Sequence, residues 1–240
     1  MGAWIWRKLL PHLAYPALCV EDRADPARCP DFRTVTVTDC VDHLVAETNR
    51  SGFGKIVLVG HSGAGCLIPL AASRSGKRVR HLVFISANIP PQGRRTVDVM
   101  PLFTKWAHLF YAGRLKRSPV PEMPPGKKEA MVRNYFCNCC DEETIRFVCD
   151  QALKPEPPAL MTEKIFRPEN PGVKRTFVRL LRDNTASRVM QDRMIANLGS
   201  TDQAVIDTDH LAMLSRPREL AEVLNGIAAR VAPSDEAAHY

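Results

Sequence analysis

The chain has 240 residues, 45% hydrophobic and 25% charged, which suits one well-buried globular core and is short for two. Its 33 lysines and arginines against 26 acidic residues give a formal net charge of +7. These basic residues are scattered and no aromatics interleave with them, so a nucleic-acid partner is not expected. No apolar run reaches the roughly 20 residues that cross a bilayer, and the N-terminus lacks the basic start and cleavage site of a signal peptide, so the expectation is a cytoplasmic protein with no membrane partner.

In chain order, apolar runs rich in branched residues fall at 17–20, 56–59, 82–85, 176–181 and 204–206. They are near-continuous rather than alternating, as in parallel strands covered on both faces. Helical patterns separate them. Thr36 and Asp39 have capping-box spacing ahead of an apolar stripe of Cys40, Val41, Leu44 and Val45. Met190, Met194 and Leu198 form a second stripe, with Gly199 at the C-cap position. Ser215 reads as an N-cap with Pro217 in the first turn, before Leu220, Val223, Leu224 and Ile227. This alternation predicts an α/β architecture with a mostly parallel sheet.

Residues from about 90 to 171 break that rhythm, with many prolines and helical stripes (Met100, Phe103, Ala107; Ile145, Val148, Cys149). They predict a helical cap inserted into a single domain spanning 1–240. Eight cysteines occur in the chain. The cluster Cys137, Cys139, Cys140 and Cys149 has no paired C-x-x-C or histidine at ligand spacing, so reduced thiols are expected rather than zinc. After Ala232 the polar tail PSDEAAHY reads as frayed.

The chemistry concentrates in KIVLVGHSGAGCLIPLAASRS, from Lys55 to Ser75. A hydroxyl held between small residues, where a buried strand turns into a helix, is exposed at the strand's carboxyl end. Gly60, Ala64 and Gly65 permit the sharp turn, and helix amides beyond Ser62 point at any anion forming there. Ser62 is therefore a candidate nucleophile in a G-x-S-x-G-like elbow whose fifth position is Ala64. Pro69 falls inside the predicted helix and should remove one of its bonds. Two competing readings are a degenerate dinucleotide loop, which lacks G-x-G-x-x-G spacing, and a simple N-cap serine.

A hydroxyl needs a base, and the base needs an acid that fixes its tautomer. His210 follows the late strand and precedes the last helix; Asp183 follows RTFVRLLR. The other histidines fall on helices (His12, His43), within the elbow (His61), at a strand start (His81), in the cap (His108) or in the tail (His239). Asp207 and Asp209 are rival acids, and Asp183 could instead be a turn residue or a partner of Arg182.

Taken together, GAWIWRKLLPHL, KIVLVGHSGAG and RTFVRLLRDNTASRVMQDRMIANLG…DTDHLAMLSRPRELAEVLNGIA resemble the α/β-hydrolase superfamily, in its esterase and hydroxynitrile-lyase branch. The resemblance covers nearly the whole chain. It implies Ser62 as nucleophile, His210 as base, Asp183 as orienting acid and the Gly63 N–H as an oxyanion donor, with no metal or cofactor. Members of the branch carry an apolar strand and a His-Gly turn ahead of the GAW stretch, which here stands at residues 2–4. The expectation is thus a chain N-terminally truncated relative to the family, or a piece of a longer protein, lacking a central strand and one oxyanion donor. Cyanohydrin-cleaving members have a lysine after the histidine; here Leu211 stands there, which favours ester hydrolysis. The expected activity is hydrolysis of small or medium apolar carboxylic esters, with Phe103, Trp106 and Phe110 lining an apolar pocket and a homodimer as a candidate assembly. A weakly catalytic ligand-binding protein and a lyase remain the alternatives.

Overall fold

The structure, a computed structural model, describes residues 2–20, 31–117, 123–151 and 156–232. Two short helical turns, Ala3–Trp6 and Leu10–His12, precede α1 (Val37–Arg50), β1 (Ile56–His61), a tight turn (Ser62–Cys66), α2 (Ile68–Arg74) and β2 (Val79–Ile85). The chain then runs through β3 (Arg94–Arg95), α3 (Leu102–Leu115), α4 (Pro125–Met131), α5 (Glu142–Asp150), α6 (Ala159–Thr162) and β4 (Lys164–Ile165). It closes with β5 (Lys174–Leu180), α7 (Arg188–Leu198), β6 (Asp202–Ile206), α8 (Ala212–Ser215) and α9 (Pro217–Val231).

Strands β1, β2, β5 and β6 form a parallel sheet in that order, with Gly60 opposite Phe84, Val83 opposite Thr176 and Val178 opposite Ala204. A short antiparallel ladder joins β3 to β4. Within the near-continuous apolar strands, alternate side chains go to opposite faces. Val83, Ile85, Val178 and Leu180 pack with Leu220, Leu224 and Ile227 of α9. Leu82, Phe84 and Phe177 pack with Ile68 and Ala72 of α2 and Met194 and Leu198 of α7. Thr36 and Asp39 exchange the reciprocal bonds of a capping box at the start of α1. Gly199 ends α7 at φ 80°, a conformation that favours glycine.

Because all four strands run the same way, their carboxyl ends lie along one edge of the sheet. Ser62, Ser86, Asp183 and His210 follow the ends of β1, β2, β5 and β6, respectively.

Several expectations are corrected. Residues 17–20 form no strand. A strand needs a ladder partner, and among the described residues β1 pairs with β2 only. On its other side lies a cavity of 1360 Å³ lined by Val57, Leu58 and Val59 and also by 16–20. The open side leaves these β1 residues half-buried, unlike β2, where every residue but Arg80 is buried. The chain after Ser62 first makes the tight turn to Cys66, and α2 begins only at Ile68. Pro69 is its second residue, where the missing N–H has no helical partner to lose. Ser215 is not the N-cap of α9. It ends α8, Arg216 occupies the cap, and the Ser215 hydroxyl donates to Asp209 Oδ1 at 2.8 Å. On α3, Phe103, Trp106 and Phe110 are 88%, 64% and 75% exposed and do not line the cavity, because the helix buries Ala112 and Leu115 instead. Tyr111 is the α3 side chain that lines it. The tail after Ala232, with His239, lies outside the described residues.

Candidate active site

Ser62 sits at the tip of the β1 turn with φ 51°, one of two non-glycine residues with positive φ among those described. Such a backbone costs on the order of 1–3 kcal/mol and persists only where its surroundings hold it. Here the Asn88 N–H donates to the Ser62 carbonyl at 2.8 Å. Gly65 packs so closely on the next loop that an added Cβ would lie 2.5 Å from Ala87 Cβ and 3.0 Å from Asn88 O. The glycine that this turn requires is therefore Gly65, which explains why Ala64 is tolerated one position earlier.

Across the same sheet edge, His210 Nδ1 lies 2.6 Å from Asp183 Oδ2, and both side chains are almost wholly buried. A carboxylate oxygen only accepts, so Nδ1 is the donor, which leaves Nε2 as the acceptor of a neutral ring. Three other donors hold the Asp183 carboxylate: Ser86 Oγ at 2.6 Å, Thr185 N at 2.7 Å and Ala186 N at 2.8 Å. Burial pushes the Asp183 carboxyl up, but His210 and these hydrogen bonds outweigh it and leave the group below its ordinary range. Ser62 and His210 line the same cavity.

The rival acids are engaged elsewhere. Asp207 takes Arg182 through a guanidinium bond of 2.8 Å, so Arg182 is not the partner of Asp183. Asp209 accepts from the Cys139 and Leu211 amides at 2.8 and 3.2 Å. Leu211, at the position of the lyase lysine, is fully buried. Gly63 is the second residue of the turn after β1, where N–H groups have no partner within the helix.

Sequence reasoning set His61 aside as a base and missed Ser86. His61 Nε2 lies 2.9 Å from the His210 carbonyl oxygen, and the two rings are 4.5 Å apart. The carbonyl only accepts, so His61 Nε2 donates. Burial, followed by the neighbouring His210, holds the His61 pKa well below its ordinary value. Ser86, at φ 38° and buried, has the strained strand-end geometry of Ser62 but spends its hydroxyl on Asp183. A serine directly after an apolar strand was the one available signal for it.

Comparison with known proteins bears on the fold and the family. Putative methylesterase 12 of Arabidopsis thaliana, described as chloroplastic, is 25% identical over 244 residues, 95% of this chain and 68% of the relative. Esterase PIR7B of Oryza sativa subsp. japonica is 25% identical over 273 residues, 95% of this chain and 91% of the relative. An extracellular alpha/beta-hydrolase from a Paenibacillus species shares the fold with a TM-score of 0.76 at 18% identity, covering 93% of each chain. Polyneuridine aldehyde esterase does so with a TM-score of 0.69 at 22% identity, covering 95% of each. The sequence model of the alpha/beta hydrolase family matches residues 1–223, and the chain belongs to that family.

Proposed function

We propose that the protein is a serine hydrolase that cleaves small or medium apolar carboxylic esters through an acyl-enzyme. Ser62 Oγ attacks the carbonyl carbon while His210 Nε2 takes the hydroxyl proton, and Asp183 stabilises the resulting imidazolium. The imidazolium then gives that proton to the departing alkoxide, releasing the alcohol. Water, deprotonated by the same nitrogen, attacks the acyl-enzyme, and the proton returns to Ser62 as the acid leaves. The Gly63 N–H faces the oxyanion, and one such donor contributes about 2.7–4 kcal/mol to the transition state.

The observation that carries this reading is the buried His210–Asp183 pair, 2.6 Å apart, at the sheet edge that also presents Ser62 on a strained turn. The esterase names of the sequence relatives support it. A second reading, weak turnover with retained ligand binding, draws support from the open side of β1, because a further oxyanion donor would come from a loop on that side. Turnover of p-nitrophenyl butyrate tests the choice. The hydrolase reading expects saturable release of nitrophenolate that Ser62→Ala abolishes. Equal release by Ser62→Ala overturns it.

A further inference from the structure

The stretch CNCC at 137–140 lies between a helical turn (Val132–Phe136) and α5, and the mechanism above leaves its thiols unused. Cys137 and Cys140 have C-x-x-C spacing. The Cys140 N–H donates to the Cys137 carbonyl at 3.2 Å and closes a four-residue turn. Such a turn brings its end Cα atoms within about 7 Å, and a disulfide spans roughly 4.4–6.8 Å between Cα atoms. The two thiols already interact. Contact with Cys137 is the first cause holding the Cys140 thiol above its ordinary range, ahead of burial and Asp209. Cys137 is buried and Cys140 half-buried, so one sulfur is open to a reagent and the other lies behind it. Cys139 faces Arg182 instead.

This turn belongs to a clamp on both loops of the candidate site. Asn184 Nδ2 donates to the Asn134 carbonyl and Thr185 Oγ1 to the Tyr135 carbonyl, each at 2.8 Å. Asn138 Nδ2 donates to the Arg182 carbonyl at 3.0 Å. These bonds hold the loop after β5, which carries Asp183. The Cys139 N–H and the Cys140 thiol donate to Asp209 Oδ2 at 2.8 and 3.5 Å. Asp209 Oδ1 accepts from the Leu211 N–H at 3.2 Å and the Ser215 hydroxyl at 2.8 Å. One buried carboxylate thus joins the turn to the residues on either side of His210.

We propose that Cys137 and Cys140 form a redox-active dithiol, closed to a disulfide by a small-molecule disulfide such as glutathione disulfide, and that closure loosens the clamp on the His210 loop. The Cys140 sulfur gives its proton to water and attacks one sulfur of glutathione disulfide. That S–S bond breaks, and the released glutathione thiolate takes up a proton. Cys137 then attacks the Cys140 sulfur, the mixed disulfide breaks, and a second glutathione leaves with the Cys137 proton. The protein loses two electrons and two protons, and glutathione disulfide becomes two thiols. The Cys140 sulfur then has no hydrogen to give Asp209, and a buried carboxylate loses one of its donors. Because the Cys140 thiol is held neutral, exchange is slow, and the site responds to sustained oxidation rather than to a brief pulse.

The test incubates the whole protein in glutathione buffers of rising oxidised fraction, traps thiols by alkylation and maps pairing by peptide mass spectrometry. The expected result is a Cys137–Cys140 disulfide that forms before any other pairing of the cluster and reverses with dithiothreitol. A cluster that stays reduced in glutathione disulfide alone, or that pairs through another cysteine, overturns the proposal. Amide hydrogen exchange reads the link to the site without any substrate. On oxidation the Cys139 and Leu211 amides should exchange faster, on the order of fivefold, the scale of one hydrogen bond. Unchanged exchange in the oxidised protein overturns the link. Cys140→Ser keeps a donor for Asp209 and should show no response to oxidation; a response that persists in it contradicts the assignment. Should that variant fail to fold, wild-type pairing and exchange decide. Only the effect on turnover rests on the hydrolase reading: oxidation should lower kcat by a similar factor with KM little changed. A disulfide that forms and loosens these amides in a protein that cleaves no ester removes that reading and leaves the redox site standing.

Discussion

The His61 imidazole donates to the main-chain oxygen of His210 across 2.9 Å, both residues being buried. This bond ties the strand that delivers Ser62 to the loop that delivers His210. Replacing His61 by alanine leaves a buried carbonyl unsatisfied, at a cost of about 1–3 kcal/mol. The expected result in urea titration is a loss of stability of that size. In ester kinetics kcat falls while KM changes little.

The same imidazole makes stability depend on pH. Its folded pKa lies well below the ordinary 6.5, so on acidification through 6.5 the unfolded chain takes up a proton that the folded chain refuses. Stability therefore declines as pH drops below 6.5, until the lower folded value is reached. Asp183, held below its ordinary 3.8, stabilises the fold above 3.8, and its contribution is lost only as pH falls through its depressed folded value. Unfolding midpoints between about pH 7 and pH 5 should fall in wild type and fall less steeply in His61→Asn. Equal slopes contradict the assignment.

Under the proposed mechanism Ser86, whose hydroxyl donates to Asp183 at 2.6 Å, is a positioning residue that acts through it. Ser86→Ala removes a hydrogen bond to a charged group, worth about 1.5–3 kcal/mol. With that donor gone, the Asp183 pKa rises. The variant should show a lower kcat, an unchanged KM and an acid limb of the pH–rate profile displaced upward. A merely structural role would leave the profile in place.

The placing of the candidate residues was legible in the sequence, because the order serine, acid, histidine maps onto ends of parallel strands. Ser62 directly follows β1, Asp183 and His210 stand three and four residues past β5 and β6, and a parallel sheet brings all such ends to one edge. Residues 17–20 misled because their composition suits a strand, while pairing depends on what lies alongside, and β1 offers only an open cavity there. Phe103, Trp106 and Phe110 misled in another way. Helical spacing shows that they share a face of α3, but not whether that face turns inward.

Gly65→Ala tests the packing that holds Ser62 in its turn. Its methyl would lie 2.5 Å from Ala87 Cβ, and overpacking of this kind costs about 1–3 kcal/mol. Asn88, whose N–H holds the Ser62 carbonyl, would be displaced as well. Denaturation should show the stability loss, and ester turnover should drop further than that loss explains.

Asp183→Asn keeps the shape and removes the charge. Replacing an orienting carboxylate in this way lowers kcat about 10⁴-fold where it fixes the tautomer of a catalytic histidine. Retention of more than about a tenth of wild-type kcat would assign Asp183 to the fold alone.

The most direct measurement is the site of covalent capture. The folded protein is incubated with a fluorophosphonate and the adduct is located by peptide mass spectrometry. The account predicts phosphonylation of Ser62, absent in Ser62→Ala and greatly slowed in His210→Ala. A folded protein that takes up no probe, or that takes it up on another serine such as Ser86, would contradict it.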